Sequence, residues 1–293
     1  MKRLMLLVNP AAGKSAIGSK MIDLIDVFIK GDYEVETVIS QSAEHLRQQV
    51  YDRAGDFDTI VCCGGDGTLS LTCSALLGVE RAPKLGYIPC GTTNDFAKTR
   101  SISSDPIKAA KQIVKGDEHV IDVGYFGDRP YIYVAAFGAF SDVSYATSRS
   151  LKKAIGHAAY VLGGLKALLK IKSYHVKFNI NGEVIEDDFI YGMVSNTMRV
   201  GGFKLPIFKK FELDDGLIDI TLVRKPKGIK ARSRLVNALI AQKSDGVELM
   251  QFRAQSFSYE CEKEIPWTLD GEFGGAHKER TVKIVSGLIT MLY

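Results

Sequence analysis

The sequence predicts an α/β plus β fold: an N-terminal α/β domain built on a mostly parallel sheet, and a C-terminal β-sandwich domain. Three observations lead there. The chain has 293 residues, more than one core usually serves, so two domains are expected. As far as Ile121, short apolar runs alternate with stretches of helical periodicity, the pattern of strands covered by helices on both faces. Beyond Ile121, strand-like runs are separated by turn residues such as Asn181-Gly182 and Asp215-Gly216.

The elements follow in order. Leu4–Val8 is an unbroken apolar strand, stopped by Asn9-Pro10 and too short for the core of a signal peptide. Ile17, Met21, Leu24, Ile25 and Phe28 repeat at helical spacing and form one apolar stripe. Glu34–Ile39 reads as a strand, Glu44–Arg53 as a helix, and Thr59–Cys63 as a third strand followed by a helix through Leu77. Leu85–Ile88 is a fourth strand, and a helix covers Pro106–Lys115. In the second region, strands are expected at Tyr131–Ala136, Tyr174–Ile180, Phe189–Asn196, Leu217–Val223, Val247–Phe252, Gln255–Glu260 and Thr281–Val285. Helices interrupt them at Leu151–Ile171 and near Lys230–Gln242. The apolar Leu288–Tyr293 is expected to return to the first domain, giving domains of 1–124 plus 287–293 and of 125–286.

Composition narrows the function classes. With 46% hydrophobic and 25% charged residues, the chain is neither disordered nor a coiled coil. The net charge of +4 is too small to imply nucleic acid, and the basic runs carry few interleaved aromatics. Its distribution is uneven: seven Lys/Arg and no acid lie between Arg149 and Lys177. A positive surface of this kind suits an anionic lipid face first, then nucleic acid or plain solubility. The stripe Leu151, Ile155, Ala158, Leu162, Leu165 and Leu169, flanked by lysines, either docks on such a face or packs against the second domain. Five cysteines without regular spacing read as free thiols in a reducing cytoplasm. No apolar run approaches the ~18 residues of a membrane span.

Chemistry concentrates at the expected strand ends. Gly64-Gly65-Asp66-Gly67-Thr68 follows the third strand and opens a helix. Consecutive glycines let the backbone approach an anion, and the helix N-terminus presents free N–H groups to phosphate. Asp66 would repel phosphate unless a cation such as magnesium, or its bound water, intervened. Pro89-Cys90-Gly91-Thr92-Thr93-Asn94-Asp95 follows the fourth strand and supplies hydroxyls and an amide at the same sheet edge. Asn9 to Lys14 forms a third loop there. Together the loops indicate nucleotide phosphate binding. Walker A spacing fails, because its first glycine would fall on Val8, and no GxGxxG follows the first strand. Two acidic turns lie in the β region. Asp214-Asp215-Gly216-Leu217 reads equally well as a metal site or as a hairpin turn, and Asp270-Gly271-Glu272 as a turn or as a general base with an orienting partner.

Taken together, Asn9-Pro10 with Gly13, Gly64–Thr68, Gly91–Ala97, Ile121–Gly124, Asp214–Leu217 and Asp270–Glu272 resemble the diacylglycerol kinase catalytic family, in its bacterial soluble branch. The Gly-Gly-Asp-Gly-Thr run is shared with NAD kinases and 6-phosphofructokinases, whereas the other segments favour lipid kinases. The resemblance covers essentially the whole chain. It implies ATP and Mg2+ as cofactors, with Asn9, Gly64, Gly65, Asp66, Gly67, Thr68, Thr92, Thr93 and Asn94 at the nucleotide. It further implies a magnesium–water network on Asp66 and Asp122, a structural magnesium on Asp215, Leu217 and Glu212, and Glu272 as general base. A glutamate of ordinary pKa ~4.3 is a weak base toward an alcohol, so it positions the hydroxyl and takes the proton late. The family usually continues Leu-Asn-Glu after the glycine-rich run, where this chain has Leu69-Ser70-Leu71.

The implied reaction is transfer of the γ-phosphate of ATP to a lipid hydroxyl at a membrane surface, with diacylglycerol as the first acceptor. Sphingoid base, polyprenol, phosphatidylglycerol or NAD are the alternative acceptors, and an inactive nucleotide- or lipid-binding regulator is the alternative class. Peripheral membrane association and homodimers accompany the family.

Overall fold

The computed structural model describes residues 1–12, 17–138, 172–197, 199–200, 203–204, 214–241 and 243–293. The Leu151–Ile171 helix, Lys14 and Glu212 therefore lie outside the described residues. The first half alternates β1 (Lys2–Val8), α1 (Met21–Lys30), β2 (Tyr33–Ile39), α2 (Ala43–Arg53), β3 (Thr59–Gly64), α3 (Asp66–Leu76), β4 (Lys84–Pro89), α4 (Asp95–Thr99) and α5 (Pro106–Lys115). Local chemistry sets these boundaries. The Ser42 hydroxyl accepts from the His45 amide to start α2, and the Asp105 carboxylate accepts from Lys108 N to start α5. Gly116, at φ 81°, ends α5 in the left-handed conformation.

The second half continues with β5 (Glu118–Phe126), β6 (Arg129–Tyr131), β7 (Val134–Gly138), β8 (Tyr174–Ile180) and β9 (Glu183–Ser195). It goes on through the short hairpin β10 (Arg199–Val200) and β11 (Phe203–Lys204), then β12 (Ile218–Arg224) and α6 (Gly228–Ala241). β13 (Leu249–Ala254), β14 (Ser256–Leu269) and β15 (Glu272–Leu292) close the chain.

The structure corrects the expected fold class. In place of a separate, mostly parallel N-terminal sheet and a β-sandwich, one mixed sheet of 13 strands runs through the molecule. β2, β1, β3 and β4 pair in parallel, but β15 joins beside β4 and carries β5 on its other side as an antiparallel neighbour. β7, β9, β8 and β14 pair in a closed antiparallel ring, a small barrel, with β12 and β13 extending from β9. The cause is strand length. β14 has 14 residues and bonds β8 with its first half and β7 with its last, so it curls and closes the ring. β15 has 21 residues and shifts register between Val285 and Ile289, around Gly287 at φ 83°. One strand thereby belongs to both halves. Read as short runs, these strands gave a sandwich.

The expected strand Tyr131–Ala136 is likewise broken, because the amides of Ile132 and Tyr133 turn away from the sheet toward the Asp270 carboxylate. Two large cores result. One lies around β1, β3 and β4 and takes in Ile289, Met291 and Leu292 of β15; the other fills the barrel with Phe126, Phe137, Phe178, Tyr259 and Trp267.

Candidate active site

Because β1, β3 and β4 are parallel neighbours, the loops that follow them share one sheet edge. Asn9 ends β1, and its amide donates to the Thr68 hydroxyl at 2.9 Å while its backbone N–H donates to Cys63 O. Thr68 folds over Gly64: a Cβ on that glycine would lie 2.5 Å from Thr68 Cβ. Gly65 faces Gly91 across the two loops, and a Cβ on Gly91 would come within 2.6 Å of Gly65 Cα. Glycine is therefore required there by a close backbone approach rather than by a positive φ. The first-turn N–H groups of α3, from Asp66 to Thr68, have no acceptor within their own helix and face this edge.

Asp66 is half-buried, and its carboxylate accepts from Asp95 N at 3.0 Å and from Phe96 N at 3.1 Å, clamping α4 to α3. Burial raises its pKa, and these two amide bonds oppose the shift. A carboxylate offers about four lone-pair sites, so acceptors remain for metal-bound water. Asn94, at φ 50°, closes its own loop through two hydrogen bonds to the Gly91 backbone. Thr92 is exposed and Thr93 half-buried on the same loop. The glycine cradle and free hydroxyls fit a nucleotide phosphate.

The β14–β15 turn reaches this edge from the second half. Leu269 pairs with Glu272 across a two-residue turn, and Asp270 (φ 50°) and Gly271 (φ 91°) both have the positive φ such a turn needs. Asp270 is 7% exposed. Its carboxylate accepts from the amides of Ile132, Tyr133 and Val134 at 2.7 to 3.0 Å, and from the Ser70 hydroxyl at 2.5 Å. Burial pushes its pKa up, opposed first by the Ser70 bond. Ser70 lies one helical turn beyond Asp66 on the same face of α3, so this bond brings the hairpin to the glycine loop. Glu272 is exposed at the start of β15, beside an exposed Phe273. Asp270 and Glu272 are legible in the sequence as an acidic turn, whereas Ser70 carries no signal there because its partner lies 200 residues away.

Asp122, 2% exposed on β5, belongs to a different cluster. Its carboxylate accepts from Gly216 N at 2.8 Å, and its own N–H donates to Asp214 Oδ1 at 3.1 Å. Asp214 also forms a two-pronged ion pair with the buried guanidinium of Arg100. Neither Arg100 nor Asp214 had a charged partner visible in the sequence. Asp215 Oδ1 accepts from Leu217 N at 3.0 Å, and its Oδ2 is paired with Arg253. Of the magnesium ligands the resemblance implies, Glu212 lies outside the described residues, and the Asp215 carboxylate already carries a guanidinium. Among the described residues, no group of three or more His, Cys, Asp or Glu could hold a metal ion.

Residues 3–126 match the diacylglycerol kinase catalytic domain, and residues 134–293 match the YegS C-terminal NAD kinase beta sandwich-like domain. A diacylglycerol kinase of Bacillus subtilis (strain 168) is 28% identical over 279 residues, covering 94% of this chain and 91% of that protein. One from Staphylococcus carnosus (strain TM300) is 26% identical over 275 residues, covering 94% and 90%. A crystal structure of a diacylglycerol kinase from Bacillus anthracis str. Sterne superposes with a TM-score of 0.79 at 23% identity, covering 100% of this chain and 97% of that one.

Proposed function

Since the chain belongs to the bacterial soluble diacylglycerol kinase catalytic family, we propose that it transfers the γ-phosphate of ATP, as its magnesium complex, to the hydroxyl of diacylglycerol. One observation carries this reading: the Ser70–Asp270 bond, which ties the helix bearing the phosphate loop to the hairpin bearing Glu272. The α3 N-terminus and the Gly65–Gly91 cradle hold the phosphates, and phosphoryl transfer depends mainly on such alignment and charge neutralisation. Magnesium bound with the nucleotide would supply the neutralisation, and Asp66 is the residue that would hold its water. Asp122, which the resemblance joins to the same network, spends its carboxylate on the Gly216 amide and steadies the Asp214–Gly216 turn instead. Glu272, exposed beside Phe273, orients the lipid hydroxyl and accepts its proton as the O–P bond forms and ADP leaves. We assign 1–124 plus 287–293 to a nucleotide domain and 125–286 to a lipid-facing domain, supported by the return of Ile289, Met291 and Leu292 to the first core, although Ile132 joins that core as well. Among the described residues no helix is long and apolar enough to cross a membrane; a lipid acceptor would be met at the bilayer surface.

The test is transfer of labelled γ-phosphate in mixed micelles with and without magnesium, using Asp66→Asn and Glu272→Gln as controls. Labelled phosphatidate, lost by a factor of about 100 or more in either variant, supports the reading. Label on sphingosine, polyprenol, phosphatidylglycerol or NAD instead would replace the acceptor. A folded protein that binds ATP yet labels none of these would point to a regulator.

A further inference from the structure

The strand register sets Arg253 of β13 directly opposite Asp219 of β12. Arg253 Nε donates to Asp219 Oδ1 at 3.0 Å, and its Nη2 donates to Asp215 Oδ2. The side chains are 29% exposed for Arg253, 18% for Asp215 and 3% for Asp219. Asp215 Oδ1 takes the Leu217 amide, and its negative charge is met by the guanidinium at Oδ2, whereas Asp66 meets amides alone among the described residues. The turn that Arg253 and Asp215 hold is central to the molecule. Asp214 receives Arg100 and the Asp122 amide, and the Gly216 amide donates to the Asp122 carboxylate.

A divalent ion seated on Asp215 would face a guanidinium that is always charged, and whose planar fork already spans the two carboxylates. We infer that Arg253 is the built-in cation of the Asp214–Gly216 turn, doing the structural work for which the resemblance suggests magnesium, so that this chain holds the turn without a divalent ion. The consequence is independent of which acceptor the site phosphorylates, because it concerns folding of the turn. The Arg253 and Asp215 side chains are both partly exposed, so removing the arginine opens the Asp215 carboxylate to solvent ions.

Thermal melting of the whole chain without nucleotide tests this, in EDTA and across a magnesium titration. The wild-type midpoint is expected to be the same in both. Arg253→Gln is expected to melt roughly 5 °C lower in EDTA and to regain stability saturably with magnesium, a gain absent when Asp215→Asn is added. A wild-type midpoint that falls in EDTA and rises saturably with magnesium, with the rise lost in Asp215→Asn, would overturn the inference. So would an Arg253→Gln protein as stable as wild type, or one that magnesium does not help. Should Arg253→Gln fail to fold, the wild-type titration and Asp215→Asn decide alone.

Discussion

Ser70 and Asp270 form the bond on which the geometry of the site turns. Asp270 keeps three amide donors without Ser70, so Ser70→Ala unties α3 from the hairpin while leaving the carboxylate satisfied. A lost hydrogen bond of this type costs about 1 kcal/mol of stability. The expected result is a kcat lower by roughly tenfold, since misplacement near the chemistry is costly, with the KM for ATP little changed. Ser70→Thr should restore the rate. Steady-state kinetics beside melting curves separates this from simple destabilisation, which would move the melting midpoint and leave kcat per folded molecule intact. Arg100 gives the opposite case. Its removal in Arg100→Met leaves Asp214 without its charge partner in a largely buried setting, and a loss of about 3–5 kcal/mol is expected in urea unfolding. His175 supplies a pH signature at the surface. Hydrogen bonds to Asp188 and Glu186 hold its pKa above the ordinary imidazole value. The pair's contribution is therefore present below pH 6.5 and lost as pH rises through the raised value. An NMR titration midpoint at or below the ordinary value would contradict it.

Among the elements, the two loops after β3 and β4 act as one unit because Gly65 and Gly91 touch. Gly91→Ala sets its Cβ against Gly65 Cα and, at 2.8 Å, against Asn94 Oδ1, so the loops must separate. The expected cost is about 1–3 kcal/mol of stability, together with a loss of nucleotide affinity measurable by calorimetry. Unchanged affinity would mean that the cradle does not contact the phosphates. The glycines were legible in the sequence as loop residues at strand ends. Their partners were not, because a contact between residues 65 and 91 depends on the parallel pairing of β3 and β4. Asn94 shows the same limit. As sequence it offered an amide to a ligand, whereas in the structure that amide closes its own turn.

For the whole molecule, β15 makes the two halves mechanically continuous. Its first half pairs with β14 of the barrel, and Met291 and Leu292 pair with β4. Met291 is fully buried in the first core. Met291→Ala is expected to cost about 2–5 kcal/mol and to lower the unfolding midpoint of both halves together. Fluorescence of Trp267, buried in the barrel, checks this against far-ultraviolet dichroism, which reports the whole chain. If the tryptophan signal kept its original midpoint while dichroism shifted, the halves would be uncoupled.

Local sequence is enough for the alternation of strand and helix in the first half, the glycine-rich strand ends and the acidic turns. These depend on local periodicity and on residues whose backbone preferences act over a few positions. The tertiary structure decided how the strands associate and which polar groups meet. Closure of β7, β9, β8 and β14 follows from β9 and β14 each pairing with both β7 and β8, and alternation within a strand does not reveal where its partner changes. The pairs Ser70–Asp270, Arg100–Asp214 and Arg253–Asp215 join residues 200, 114 and 38 positions apart. Such pairs have no sequence signature, because burial and pairing arise only when the chain brings distant charges into one low-dielectric place.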